Sequence, residues 1–267
     1  MAIGSSMADS QEARPDRDIK AVIFDIDGVL TENDRPVSGA TRVVAAFKEA
    51  GVPVRFLTNT TSRGRDILAK ELVRCGFPAT PEEVFCPSRA AGEYLRGRGA
   101  SARLLVREGA LADFEGVAQT TDSPDAVVVG DLAHEWSFDL LNEAFRLVHS
   151  AGAELIGLGR TRYWKNEDDL QLDAGPFTAA LEYATGKDAL IFGKPDPAIF
   201  EAVIADIGMP AHQIVMVGDD IFSDIDAAMK VGLLGILVRT GKFRDEDLQS
   251  SVSPDAVLDS VASMIDS

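Results

Sequence analysis

The chain is poor in the residues that staple small folds and in the charge that binds polyanions. Only two cysteines occur, Cys75 and Cys86, in 267 residues. Two thiols supply neither a disulfide framework nor a four-thiolate metal centre; they fit reduced, buried thiols in a cytoplasmic protein. The three histidines, His134, His149 and His212, are scattered without ligand-like spacing. No apolar run approaches the roughly 18–20 residues that cross a bilayer, and the longest, 231–238, has the length of a strand. The first 18 residues are polar and lack the apolar stretch of a secretory signal. Residues 1–18 therefore read as a flexible tail, in which 1–6 precede a second methionine, Met7. Basic residues are scarce as well: 26 Lys or Arg stand against 43 Asp or Glu, a formal net charge of −17. Polyanions bind basic patches, so this balance argues against nucleic acid and against a membrane surface. It suits a phosphorylated small molecule only if a cation mediates.

Hydrophobic residues make up 46% of the chain, too many for disorder and enough for one large domain or two moderate ones. The run 21–26 (AVIFDI) is apolar and β-branched and ends in Asp-Gly, the pattern of a buried strand and turn. Ser38 is placed to cap a helix running to Ala50, with Gly51 just beyond it. A strand at 52–57 and a helix ending near Cys75 and Gly76 follow, giving the β-α-β-α order of a parallel sheet with helices on its faces. The far end repeats the order: a strand at 190–192, a helix capped by Asp196 with Pro197 in its first turn, a strand at 214–217, a helix to about Lys230, a strand at 234–238 and a last helix over 259–264. Between these halves lie strands at 104–106, 126–129 and 155–158 and helices at 138–148 and 177–184. That segment is too long and too regular to be a loop. The expected fold is α/β: a Rossmann-like parallel-sheet core, discontinuous over 19–85 and 188–267, with an α/β cap domain inserted at 86–187.

Four short segments each follow the carboxyl end of a predicted strand, where parallel sheets place ligand sites. They are Asp25-Ile26-Asp27-Gly28, Thr58-Asn59, Gly193-Lys194 and Gly218-Asp219-Asp220, with Asp224 five residues past Asp219. Clustered carboxylates repel one another and raise one another's pKa values. A hard cation such as Mg²⁺, which takes about six oxygens, resolves the conflict. Lys194 adds a mobile positive charge suited to a phosphate oxygen, and Thr58 adds a hydroxyl. A carboxylate nucleophile, a neighbouring acid, a metal, a lysine and a hydroxyl fit phosphoryl transfer through an aspartyl-phosphate.

The segments FDIDGVL (24–30), LTNTT (57–61), GKPDP (193–197) and VGDDIFSDIDAA (217–228), together with VVVGD, GRTRYWK and LDAGPFTAALEYATGK in the insertion, resemble the haloacid dehalogenase (HAD) superfamily of phosphatases. The resemblance covers about residues 19–265. It points to the capped branch that contains 4-nitrophenylphosphatase, pyridoxal phosphatase and phospholysine phosphohistidine inorganic pyrophosphate phosphatase, and most of all to the last and its hydrolase-domain relatives. It implies Asp25 as nucleophile and Mg²⁺ ligand. Asp27 becomes general acid/base and a ligand through its carbonyl, and Asp219 the second carboxylate ligand. Thr58, Asn59 and Thr60 bind the phosphoryl group, Lys194 stabilises its charge, and Asp224, with Asp220, orients water beside the metal. It also implies pairing of two copies through the cap.

In the insertion, Arg160, Arg162, Tyr163, Trp164, Pro176 and Phe177 are candidates for substrate contact, with Gly175-Pro176 read as a fixed loop before a helix. For each of these a packing or solvent-exposed role competes. The function expected is a Mg²⁺-dependent phosphatase of small phosphorylated molecules. The competing readings are a phospho-acceptor module and a phosphate-binding scaffold without turnover. A receiver-type acceptor is shorter and begins with its acidic pair, unlike the order Asp, Thr, Lys, acidic pair found here.

Overall fold

The computed structural model describes residues 19–165 and 170–265, so the tail 1–18 lies outside the described residues. The first predicted strand forms as β1 (Ala21–Asp25), buried at every position. Val22 and Phe24 point to one face, Ala21 and Ile23 to the other, and both faces are covered by apolar clusters. That double burial explains a continuous apolar run in place of alternation. Around β1 lie β4 (Val54–Leu57), β5 (Val84–Phe85), β12 (Ile214–Gly218), β13 (Leu234–Val238) and β14 (Ala256–Leu258), in the order β14-β13-β12-β1-β4-β5 and all parallel. A hairpin, β2 (Thr31–Glu32) and β3 (Arg35–Pro36), leaves the end of β1. It turns through Asn33 and Asp34, both at positive φ (48° and 59°), as a tight two-residue hairpin requires.

A second parallel sheet is formed by β6 (Ala102–Leu105), β7 (Ala126–Val129), β8 (Glu154–Gly157) and β11 (Leu190–Ile191), in the order β11-β8-β7-β6. A two-stranded ribbon of β9 (Tyr163–Lys165) and β10 (Leu170–Leu172) stands apart from it. The helices are α1 (Ala40–Glu49), α2 (Arg65–Arg74), α3 (Pro87–Arg98), α4 (Phe138–His149), α5 (Ala174–Thr185), α6 (Pro197–Ile207) and α7 (Ala227–Lys230).

These elements stack in layers. Val43 and Val44 of α1 and Leu68 and Leu72 of α2 cover one face of the first sheet. On its other face, Ala90 and Leu95 of α3 and Ile199, Phe200 and Val203 of α6 share one cluster with Ile23 and Met216 of the first sheet and Leu104, Val128 and Ile156 of the second. Helices α3 and α6 thus fill the space between the sheets. Leu147 and Val148 of α4 and Leu181 of α5 close the outer face of the second sheet. No helix among the described residues is long and apolar enough to cross a membrane.

Several expectations need correction. Residues 190–191, assigned with the core by sequence, pair with Ile156–Gly157 of the second sheet, because apolar periodicity specifies a strand but not its partner. The residue before α1 is Gly39 (φ 80°) and not Ser38, and it makes no side-chain cap. Asp173 caps α5 by accepting from Ala174 N, so Gly175 and Pro176 belong to its first turn and form no loop. The helix to Lys230 opens as a π-helical turn, Ile221–Asp226. The last helix is a short 3₁₀ segment, Val261–Met264, preceded by β14, a strand the sequence reading lacks.

Both cysteines are free, Cys75 half-buried and Cys86 buried just before α3. Burial and then the nearby Asp113 charge push the Cys86 thiol up to about 12. In the native protein a thiol-disulfide reagent should therefore label Cys75 alone, with both thiols reacting once the protein is denatured. Two fast native thiols would show that the β5–α3 junction opens.

Candidate active site

The carboxyl end of β1 delivers Asp25 beside Leu57, its register partner at the end of β4. The neighbouring β12 ends at Gly218 and delivers Asp219. The π-helical turn then brings Asp224 back under the same edge, where its Oδ2 accepts from the backbone N–H groups of Asp219 and Asp220, both at 3.2 Å. Gly218 makes this return possible, since a Cβ there would lie 2.2 Å from that of Asp224. One carboxylate oxygen from each of Asp25, Asp219 and Asp224 lies within 4.8 Å of the others, and all three residues are buried.

Lys194, 6% exposed, reaches this cluster from the end of β11. Its Nζ is 2.7 Å from Asp25 Oδ1 and 2.7 Å from Asp224 Oδ1. Burial works against its charge, but the Asp224 and Asp25 carboxylates outweigh it, and the ammonium is held above its ordinary pKa. Burial, reinforced by the Asp224 charge, pushes the Asp25 carboxyl well above the usual range although Lys194 opposes the shift. Burial and Asp224 likewise push Asp219 up to about 6. When all three carboxylates are ionised, the single ammonium leaves two negative charges uncompensated, the state that burial resists. Asp219 Oδ1 is buried and makes no hydrogen bond among the described residues, while its Oδ2 accepts from Lys242 N at 2.7 Å. A buried oxygen without a donor, beside two surplus charges, fits an oxygen-seeking divalent cation.

The loop after β4 lies alongside. Thr58 is buried, and its Oγ1 accepts from Thr60 N at 3.1 Å. The Asn59 side chain is engaged elsewhere than at a ligand: its Oδ1 accepts from Lys194 N (2.7 Å) and its Nδ2 donates to Lys194 O (2.9 Å). Asn59 thus fixes the main chain that aims Lys194. Asp27, two residues past Asp25, is exposed at the root of the β2–β3 hairpin and pairs through its backbone with Thr31. Asp220 caps the π-helical turn, accepting from Phe222 N and Ser223 N.

The second-sheet candidates are not brought into this cluster. Arg160 forms a two-pronged pair with Glu182 (3.0 and 2.8 Å). Phe177 stacks on Trp136, with ring centroids 4.3 Å apart, and Pro176 lies in α5. Arg162 and Tyr163 are exposed, and the side chain of Trp164 lies outside the described residues.

Sequence reasoning missed a strap after β13. Thr240 Oγ1 donates to Gly28 O (2.5 Å), Gly241 N to Glu32 Oε1 (3.0 Å) and Lys242 N to Asp219. A Cβ on Gly28 (φ +88°) or on Gly241 (φ +64°) would sit 2.0 Å from Asp219 Oδ2, so two chain segments close on this carboxylate with no room for a side chain. The signal was present, because 240–242 follow the carboxyl end of a predicted strand just as the other four segments do.

A sequence model described as haloacid dehalogenase-like hydrolase matches residues 22–118, and a HAD-hydrolase-like model matches 191–264. The rat haloacid dehalogenase-like hydrolase domain-containing protein 2 is 41% identical over 89% of this chain and 90% of its own length. The chain belongs to the haloacid dehalogenase-like hydrolases. Another relative in this family is the phospholysine phosphohistidine inorganic pyrophosphate phosphatase of Danio rerio, 38% identical over 94% of each chain. Among solved structures of the family, the p-nitrophenyl phosphatase from Archaeoglobus fulgidus superposes with a TM-score of 0.87 at 26% identity, covering 93% of this chain and 99% of that one.

Asp25 and Asp219 bind protons more tightly in the folded protein than in the unfolded chain, where carboxylates of this kind titrate near 3.8. Their contribution to stability therefore falls as pH rises from about 4 through 6. In EDTA, the melting temperature should be higher at pH 5 than at pH 7.5. Asp219→Asn should shrink that difference. An unchanged difference in the variant would place the pH dependence elsewhere in the chain.

Proposed function

We propose that the protein is a Mg²⁺-dependent phosphatase of small phosphorylated molecules that works through an aspartyl-phosphate on Asp25. The observation that carries this reading is the buried Asp25–Lys194–Asp224–Asp219 cluster, in which three carboxylates share one ammonium and Asp219 Oδ1 is bare. Phosphatase names among the family relatives support it.

Asp25, the Asp27 carbonyl and Asp219 are the groups that would hold Mg²⁺. When bound, the ion screens the charge of the nucleophile from that of the phosphoryl group and polarises the phosphoryl oxygens. An Asp25 carboxylate oxygen attacks phosphorus, and the bond to the leaving oxygen breaks as Asp27 gives that oxygen its proton. A water then attacks the phosphorus of the aspartyl-phosphate, losing its proton to Asp27, and phosphate leaves with Asp25 restored. Lys194 holds the Asp25 carboxylate in place and offsets charge gathering on the phosphoryl oxygens. Thr58 and Thr60 offer hydroxyls to the same oxygens, while Asn59 and Asp224 fix Lys194 and Asp219.

In this reading the second sheet with its helices, β11 (Leu190–Ile191) included, acts as a cap domain on the first sheet. Arg162, Tyr163 and Trp164, and less directly Arg160, Pro176 and Phe177, shape the space for the leaving group. Pairing of two copies through the cap, and a reducing cytoplasmic setting for the free thiols, belong to the same reading.

With 4-nitrophenyl phosphate, hydrolysis should require Mg²⁺, stop with EDTA and fall roughly 1,000-fold or more in Asp25→Asn. Asp27→Asn should slow the reaction while leaving inhibition by inorganic phosphate in place. Equal activity in wild type and Asp25→Asn would overturn the nucleophile assignment. A wild type that is inert with Mg²⁺ across a panel of phosphorylated metabolites would favour a phosphate-binding scaffold.

A further inference from the structure

The loop 58–64, which carries Thr58 and Thr60, is held at both ends by the chain segments that follow strands of the second sheet. At its start, Asn59 clasps the Lys194 main chain beyond β11. In its middle, a Cβ on Gly159, just past β8, would meet Thr61 Cγ2 at 3.7 Å. At its end, Gly64 N donates to Gly109 O at 2.8 Å. Gly109 lies in the 3₁₀ segment Glu108–Phe114 that follows β6.

Helix α2 begins where this loop ends, and it has no side-chain cap of its own because its N-cap residue is Gly64. The first N–H groups of a helix need an acceptor, and its positive end favours an anion. Asp113, 48 residues further along, supplies both: its Oδ2 accepts from Arg65 N at 3.2 Å and its Oδ1 lies 3.5 Å from Arg65 Nε. The fit is close, since a Cβ on Gly64 would be 2.9 Å from Asp113 Oδ2 and 3.1 Å from Gly109 O. Ser88 Oγ (2.6 Å) and the Cys86 thiol (3.3 Å) donate to the same Asp113 oxygen from behind. Asp113 is only 1% exposed. A carboxylate buried this far is costly, and here the donors it serves at the start of α2 and from Ser88 offset that cost.

Resting on the phosphatase reading above, we infer that Asp113 is a positioning residue for the phosphoryl-binding loop. It fixes the far end of residues 58–64 against the second sheet, as Lys194 fixes the near end, so that Thr58 and Thr60 stay aimed at the Asp25 edge. The second sheet is then part of the phosphoryl site itself, besides any cover it provides.

The test uses the full chain with Mg²⁺ and three variants, Asp113→Ala, Asp113→Asn and Ser88→Ala. The readouts are KM and kcat for 4-nitrophenyl phosphate, the inhibition constant of inorganic phosphate, melting temperature, and amide hydrogen exchange over residues 58–68. Asp113→Ala should raise KM and the phosphate inhibition constant about tenfold and speed exchange at Gly64 and Arg65. Asp113→Asn keeps an acceptor and loses the charge, and should give about a threefold rise. Ser88→Ala touches Asp113 but not the loop; it should lower the melting temperature and leave the inhibition constant unchanged. Folded Asp113 variants with wild-type phosphate inhibition and wild-type exchange would overturn the inference. If Asp113→Ala does not fold, Asp113→Asn decides on the same two readouts. A wild type that neither hydrolyses the substrate nor binds phosphate would overturn the phosphatase reading, and this inference with it; an active wild type with unaffected variants overturns the role of Asp113 alone.

Discussion

One ammonium group organises the site. Lys194 Nζ lies 2.7 Å from a carboxylate oxygen of Asp25 and 2.7 Å from one of Asp224, and without it three buried carboxylates would face one another in a medium that punishes like charge. The arrangement stops short of neutrality. With all three carboxylates ionised it leaves a negative surplus, and one oxygen of Asp219 makes no hydrogen bond among the described residues. The acidic character of the chain as a whole, −17, is therefore no bar to an anionic substrate, because the sign of the local field depends on what the cluster binds.

That ammonium is useful only if its chain is held, and the fold spends several long-range contacts on holding it. Lys194 emerges from the second sheet while its partners emerge from the first, so the geometry of the site depends on how the two sheets sit together. Helices α3 and α6 set that relation by filling the space between them with Leu95, Ile199, Phe200 and Val203. Asn59 then ties the Lys194 main chain to the loop beside Asp25.

Much of this was legible in the sequence, for a local reason. Asp25 ends and Asp219 follows a strand whose apolar run is unbroken because both faces are buried, Thr58 follows a strand interrupted only by Arg55, and a parallel sheet gathers such strand ends at one edge. The same rule reached Lys194 but not its sheet, because two residues, Leu190–Ile191, carry too little pattern to name a partner. Asn59 was legible as a site residue but not in its role, which depends on a contact 135 positions away. Asp113 was invisible, since nothing local distinguishes an aspartate that caps a helix 48 residues back. The candidates of the insertion diverged most. Arg160 and Phe177 are engaged by Glu182 and Trp136, partners that only the packing of α5 against the second sheet reveals.

The two family matches end at residue 118 and resume at 191, and the interval between them contains α4, α5, β7, β8 and the β9–β10 ribbon, including the whole outermost layer. Lys194, Asn59 and Asp113 all fall within the matched segments. None of the contacts that fix Lys194 and Asn59 is made from α4 or α5, so substitutions on the outer faces of those helices leave the hydrogen bonds of the site untouched.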